Sequence, residues 1–253
     1  MVRVVSIHSF RGGTGKSNLT ANLAVQLAQQ GQHVGVVDTD IQSPGIHVLF
    51  GLAGPQIQAT LNDHLFADRA IGEVAHDVTP QGLAGSIHLV PSSVRPGEIS
   101  RVLRDGYDAQ RLVRGLRELV DELGLDTLLV DTHPGLGEET LLALVISDTV
   151  LMVLRPDQQD YEGTGVIVEV ADDLGVPRRA LVVNKVPPAL DPGHVRATVE
   201  KTYGAAVVGL IRHDDAVMSL ASADVFTLLY PGHPFTTAVG EVTDYVLDGD
   251  AHE

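Results

Sequence analysis

Residues 10–17 read FRGGTGKS, and this stretch decides the fold. Ahead of it lies VRVVSI (2–7), a short β-branched apolar run. Behind it Leu19, Leu23 and Leu27 recur every four residues and Gly31 follows. The first pattern predicts a buried strand and the second an amphipathic helix stopped by glycine. A strand, a glycine-rich turn and a helix in that order can hold phosphate. Gly12, Gly13 and Gly15 let the backbone turn tightly and aim its N–H groups at one point. The helix N-terminus adds partial positive charge at the same point. Lys16 then has the charge and reach for β and γ phosphates, and the Ser17 hydroxyl suits Mg²⁺.

The rest of the chain repeats the strand-then-polar-cluster pattern. HVGVV (33–37) runs into DTD, SIHLV (86–90) into PSS, TLLV (127–130) into DTHPG, and TVLMVL (149–154) into RPDQQD. ALVVN (180–184) runs into KVPP and AAVVGLI (205–211) into RHDD. Near-continuous apolar strands are buried on both faces, as in a parallel sheet. Leu112, Leu116, Leu119 and Leu123, stopped by Gly124, give a second amphipathic helix. Alternating strands and helices predict an α/β fold: a doubly wound, mostly parallel sheet with helices on both faces, over one domain spanning 1–253. Ligands of such sheets bind beyond the carboxyl ends of the strands, where every polar cluster above falls. The stretch 51–85 is the least patterned and reads as short helices and loops, and about 248–253 reads as a frayed acidic tail.

Composition excludes whole classes of chemistry. With no cysteine there are no disulfides, no thiolate zinc sites and no cysteine-ligated iron–sulfur clusters. No apolar run approaches the roughly 20 residues that cross a bilayer. Both features fit a cytoplasmic protein. A net charge of −16 argues against non-specific DNA and anionic lipid.

Several motifs together resemble the deviant Walker A ATPases of the MinD/ParA family. Their loop reads K-G-G-x-G-K-[ST], often without the first glycine that Phe10 replaces here. Their distinguishing signature lysine falls at Arg11. VVDTDIQSPG (36–45) resembles switch I, and LLVDTHPGLGEET (128–140) resembles Walker B and switch II. LVVNK (181–185) and GLIRHDDAV (209–217) resemble the segments around the base, with Arg212 where proline is usual.

The resemblance implies binding of ATP or ADP with Mg²⁺. It places Gly12, Gly13, Thr14, Gly15, Lys16, Ser17, Asn18, Gly135, Asn184 and Asp214 around nucleotide. It gives Ser17, Asp38 and Asp131 to Mg²⁺, and Lys16, Asp40 and Arg11 to catalysis, with Asp40 positioning the attacking water. It also implies an ATP-dependent homodimer in which Arg11 reaches the other subunit's nucleotide. In the open monomer water is expected to solvate that guanidinium. Plainer readings stand beside these: Asp38 and Asp40 as turn residues, Asp131 as a helix cap, Arg11 as an inert neighbour, and His133 as a solvated histidine.

The family's known surfaces do not carry over. From Thr236 to Glu253 there is no Lys or Arg, so membrane binding through a basic helix there is not expected. Arg101, Arg104, Arg111, Arg114 and Arg117 are interleaved with acids and read as a salt-bridged face. The sequence names no protein partner or cargo. A nucleotide-gated binding module with negligible hydrolysis is the alternative function.

Overall fold

The computed structural model describes residues 2–248; of the acidic tail only Asp248 lies within them. The strands are β1 (Arg3–His8), β2 (His33–Asp38), β3 (His76–Asp77), β4 (Ser86–Val90), β5 (Thr127–Asp131), β6 (Thr149–Leu154), β7 (Arg178–Val186) and β8 (Ala206–Arg212). They form one sheet in the order β3-β4-β2-β5-β1-β6-β7-β8. Every pairing is parallel except β3 with β4.

The helices are α1 (Lys16–Gln29), α2 (Ile46–Leu49), α3 (Leu61–Ala67), α4 (Pro96–Asp105), α5 (Ala109–Leu123), α6 (Glu138–Val145), α7 (Gln158–Asp173), α8 (Pro192–Tyr203), α9 (Asp215–Ser219), α10 (Phe226–Leu229) and α11 (Pro234–Leu247). Side chains alternate across the strands, so every strand but β3 feeds two cores. Leu129, Leu151 and Val153 pack with Leu23 and Leu27 of α1 and with Val239 and Val242 of α11. Leu128 and Val130 pack on the other face against Leu112, Leu116 and Leu119 of α5. Val150, Met152 and Leu154 meet Ile167 and Ala171 of α7 and Val195 and Val199 of α8.

The helix ends follow local chemistry. Asp108 caps α5 by accepting the N–H groups of Gln110 and Arg111 at 2.9 and 3.2 Å, and Gly124 ends it in the left-handed conformation. The stretch 51–85 holds α3 and two short 3₁₀ turns, as its composition suggests, but also β3. That two-residue strand pairs His76 with Leu89 at the sheet edge. It is too short to leave a period-two signature in sequence.

Among the described residues no helix is long and apolar enough to cross a membrane.

Candidate nucleotide and magnesium site

The centre of the sheet fixes the site. β1 lies between β5 and β6 and delivers the glycine-rich loop to the carboxyl edge. The loop enters α1 through Gly15 at φ 99, a left-handed turn that a side chain strains. Lys16 opens the helix and is buried at its first turn. The loop is braced from two sides. Asn184, at the end of β7, donates from Nδ2 to the Thr14 carbonyl at 2.7 Å, and Lys185 donates from Nζ to the Gly13 carbonyl at 2.8 Å. From the other side the Gly135 N–H donates to the Ser9 carbonyl at 3.0 Å, with Gly135 at φ 88.

Phe10, where the usual first glycine falls, packs its side chain against Gly163 of α7. Any side chain at Gly163 would occupy the ring's position.

Two buried carboxylates sit beside the loop. Asp38 ends β2, Asp131 ends β5, and the two are paired in register. Burial, then the charges of Asp131 and Asp40, push the Asp38 carboxyl well above its ordinary range, against the N–H groups of Asp40 and Gly45. Burial also pushes Asp131 up to about 6. The charge of Asp40 adds to this, and Lys16, Ser17 and Thr20 oppose it. Asp131 Oδ2 is buried with no hydrogen-bond partner among the described residues. Two neighbouring buried carboxyls whose charge is disfavoured, one with an orphaned oxygen, fit a hard divalent cation that would stabilise their ionised form. No three His, Asp or Glu side chains among the described residues form a metal cage. Magnesium does not need one, because it keeps waters and takes phosphate oxygens.

Asp40 is held apart from this pair. Its Oδ1 accepts from the Ser43 N–H at 3.0 Å and lies 2.7 Å from His133 Nδ1. His133 is therefore no free solvated histidine; it joins the loop after β5 to the loop after β2. Arg11 also departs from expectation. Water is not its only partner: its guanidinium stands 3.5 Å from Asp160 and 3.6 Å from Asp157. Asp160 is buried at the start of α7 and is also bound by Arg155 at 3.0 Å.

The side of the loop toward β7 and β8 opens into a cavity of about 280 Å³ lined by Asn18, Asn184, Lys185, Arg212, Asp214 and Phe235, among others. Asn184 spends Nδ2 on Thr14, and its Oδ1 accepts the Lys185 N–H at 2.8 Å. Its amide braces the loop and keeps one Nδ2–H and one Oδ1 lone pair for a ligand. Asp214 caps α9, accepting the Ala216 N–H at 2.8 Å. Lys185 escaped the sequence reading. The available signal was its place next to Asn184 at a strand end. Its φ of 55, rare for a residue with a side chain, is visible only in three dimensions.

A family model described as AAA domain matches residues 2–176, more than half of the chain. The chain belongs to this family, as a MinD/ParA-type P-loop ATPase. An uncharacterized ATP-binding protein of Methanocaldococcus jannaschii is 28% identical to the ATPase over 243 residues, covering 96% of the chain and 86% of that relative. An iron–sulfur cluster carrier protein of Methanococcus maripaludis is 32% identical over 185 residues, 71% of the chain. The ATPase spans 59% of that relative's length. In fold it is similar to the septum site-determining protein MinD of Pyrococcus horikoshii, a structure complexed with Mg-ADP. The TM-score is 0.80 and the identity 21%, covering 97% of this chain and 96% of that one.

Proposed function

We propose that this ATPase is a single-domain switch driven by Mg-ATP. ATP closes two copies into a homodimer, hydrolysis reopens it, and the cycle positions or regulates a protein partner. The observation that carries this reading is the orphaned Oδ2 of Asp131, buried beside Asp38 and Lys16 at the mouth of the loop. A site with that charge arrangement wants a cation and a polyphosphate together.

The residues divide the work by position. Loop N–H groups from Gly12 to Ser17 and the α1 N-terminus hold phosphate oxygens. Lys16 neutralises the β and γ phosphates. Ser17 and Asp131 would hold Mg²⁺, with Asp38 in support. The chemistry a bound Mg²⁺ would supply is positive charge to offset that of the phosphates. Asp40 orients the attacking water. Arg11 turns from Asp157 and Asp160 to the partner subunit's nucleotide, where a guanidinium stabilises charge on the transferred phosphoryl group. Asn18, Asn184 and Asp214 border the base and ribose.

A protein partner is favoured over DNA or membrane. Four of the five arginines of the 101–117 cluster are engaged within the chain: Arg111 with Asp68, Arg114 with Asp108 at 3.5 Å, Arg104 with Asp105 at 2.8 Å, and Arg101 over the Phe66 ring. A cluster-carrying role is disfavoured, because the chain has no cysteine to bind iron.

Phosphate release at saturating Mg-ATP tests the enzymatic reading. Turnover that vanishes when Mg²⁺ is chelated supports it. Tight ATP binding without turnover would leave a nucleotide-gated binding module.

A further inference from the structure

Asp40 and His133 come from different loops, 93 residues apart, and meet at 2.7 Å. An ionised carboxylate only accepts hydrogen bonds, so His133 Nδ1 carries the hydrogen. The geometry of Asp40 is one-sided. Oδ1 takes both donors, His133 Nδ1–H and the Ser43 N–H at 3.0 Å. Oδ2 has no hydrogen-bond partner among the described residues. The Asp40 side chain is 13% exposed and that of His133 23%, so the contact is partly shielded but open to a small molecule.

His133 itself stands on a fixed frame. Its carbonyl, 3.3 Å away, and that of Gly135, 3.0 Å away, both accept from the Thr140 hydroxyl in the first turn of α6. Thr140 is fully buried. On the other side Gly135 is tied to Ser9 of the glycine-rich loop. The imidazole therefore refers the Asp40 carboxylate to the loop that holds phosphate, and a carboxylate on a free loop has no such reference.

We propose that His133 is a positioning residue for hydrolysis: by holding Asp40 Oδ1 it leaves Oδ2 as the oxygen that orients the attacking water. In that step the water oxygen bonds to the γ phosphorus and the bridging P–O bond breaks, its electron pair leaving on ADP. The water proton passes to Asp40 Oδ2 and then to solvent. This inference rests on the assignment of Asp40 proposed above. A misplacement of about 1 Å at such a group can cost on the order of 100-fold in rate.

The test compares kcat, KM and ATP affinity for wild type, His133→Ala, His133→Asn, His133→Gln and Asp40→Ala. The Asn amide can place an N–H near the position of Nδ1, whereas Gln places it farther out. The expected result is a kcat lowered about 10- to 100-fold in His133→Ala, with KM and affinity unchanged. His133→Asn should recover most of the rate and His133→Gln should not. In the Asp40→Ala background, His133→Ala should add nothing. If His133→Ala keeps the wild-type kcat, or Asn and Gln are equally slow, the inference is overturned while Asp40 keeps its role. If Asp40→Ala turns over like wild type, the assignment of Asp40 falls, and this inference with it.

Discussion

The guanidinium of Arg11 lies 3.5 Å from the carboxylate of Asp160 in the same chain. Arg11 remains about 40% exposed, so the pair is screened by water and worth little on its own. Asp160 does not depend on it, since Arg155 binds the same carboxylate by its backbone N–H at 2.9 Å and its side chain at 3.0 Å. Arg11 can therefore swing away without leaving a buried charge unpaired. Arg11→Ala should bind ATP within about twofold of wild type by calorimetry, because Lys16 and the loop amides remain. A large loss of affinity would place Arg11 in its own subunit's pocket.

Lys16→Ala removes the charge facing the β and γ phosphates. Charge-assisted hydrogen bonds contribute about 1.5–3 kcal/mol each, so ATP affinity should fall about 100-fold. Isothermal titration that finds wild-type affinity would show the loop is not the nucleotide site.

Asp131→Asn keeps the shape and removes the anion. It should raise the Mg²⁺ concentration needed for half-maximal turnover at least about tenfold, by loss of a charged oxygen ligand. An unmoved Mg²⁺ titration would reduce Asp131 to a structural cap.

His8 gives a prediction about stability and pH. Burial, then the charges of Lys16 and His133, lower its pKa from 6.5 to about 3. Its Nδ1 lies 2.6 Å from the Thr132 hydroxyl. A histidine held neutral in the fold binds its proton only on unfolding. Its stabilising contribution is complete above pH 6.5 and is lost as pH falls from there toward 3. From pH 7 to pH 5 the loss from this group is about 2 kcal/mol. Denaturant melts of wild type and His8→Asn at both pH values should show a smaller fall in the variant. Equal falls would mean His8 is not a buried neutral imidazole.

The sheet was legible in sequence because its central strands, such as β5 and β6, are buried on both faces, so each is a compact apolar run ending in a polar cluster. TVLMVL (149–154) coincides with β6 because all six residues are buried. The edge was less legible: β3 has only two residues and carries no pattern. At the site, one-dimensional signals worked where spacing dictates geometry, as in Gly12 to Ser17. They failed where the partner is distant in sequence. The contact of His133 with Asp40, the brace from Lys185 to Gly13, and the ion pairs of Arg11 with Asp157 and Asp160 all join separate strand ends. No local pattern announces such pairs.

In the proposed cycle nucleotide closes two chains, with Arg11 acting between them. Light scattering of wild type and Arg11→Ala, each with Mg-ATP, with Mg-ADP and without nucleotide, tests it most directly. Wild type should show a doubled mass with Mg-ATP alone, and Arg11→Ala a monomer mass in all three conditions. Wild type of one mass in every condition, or Arg11→Ala dimerising with Mg-ATP as wild type does, would contradict it.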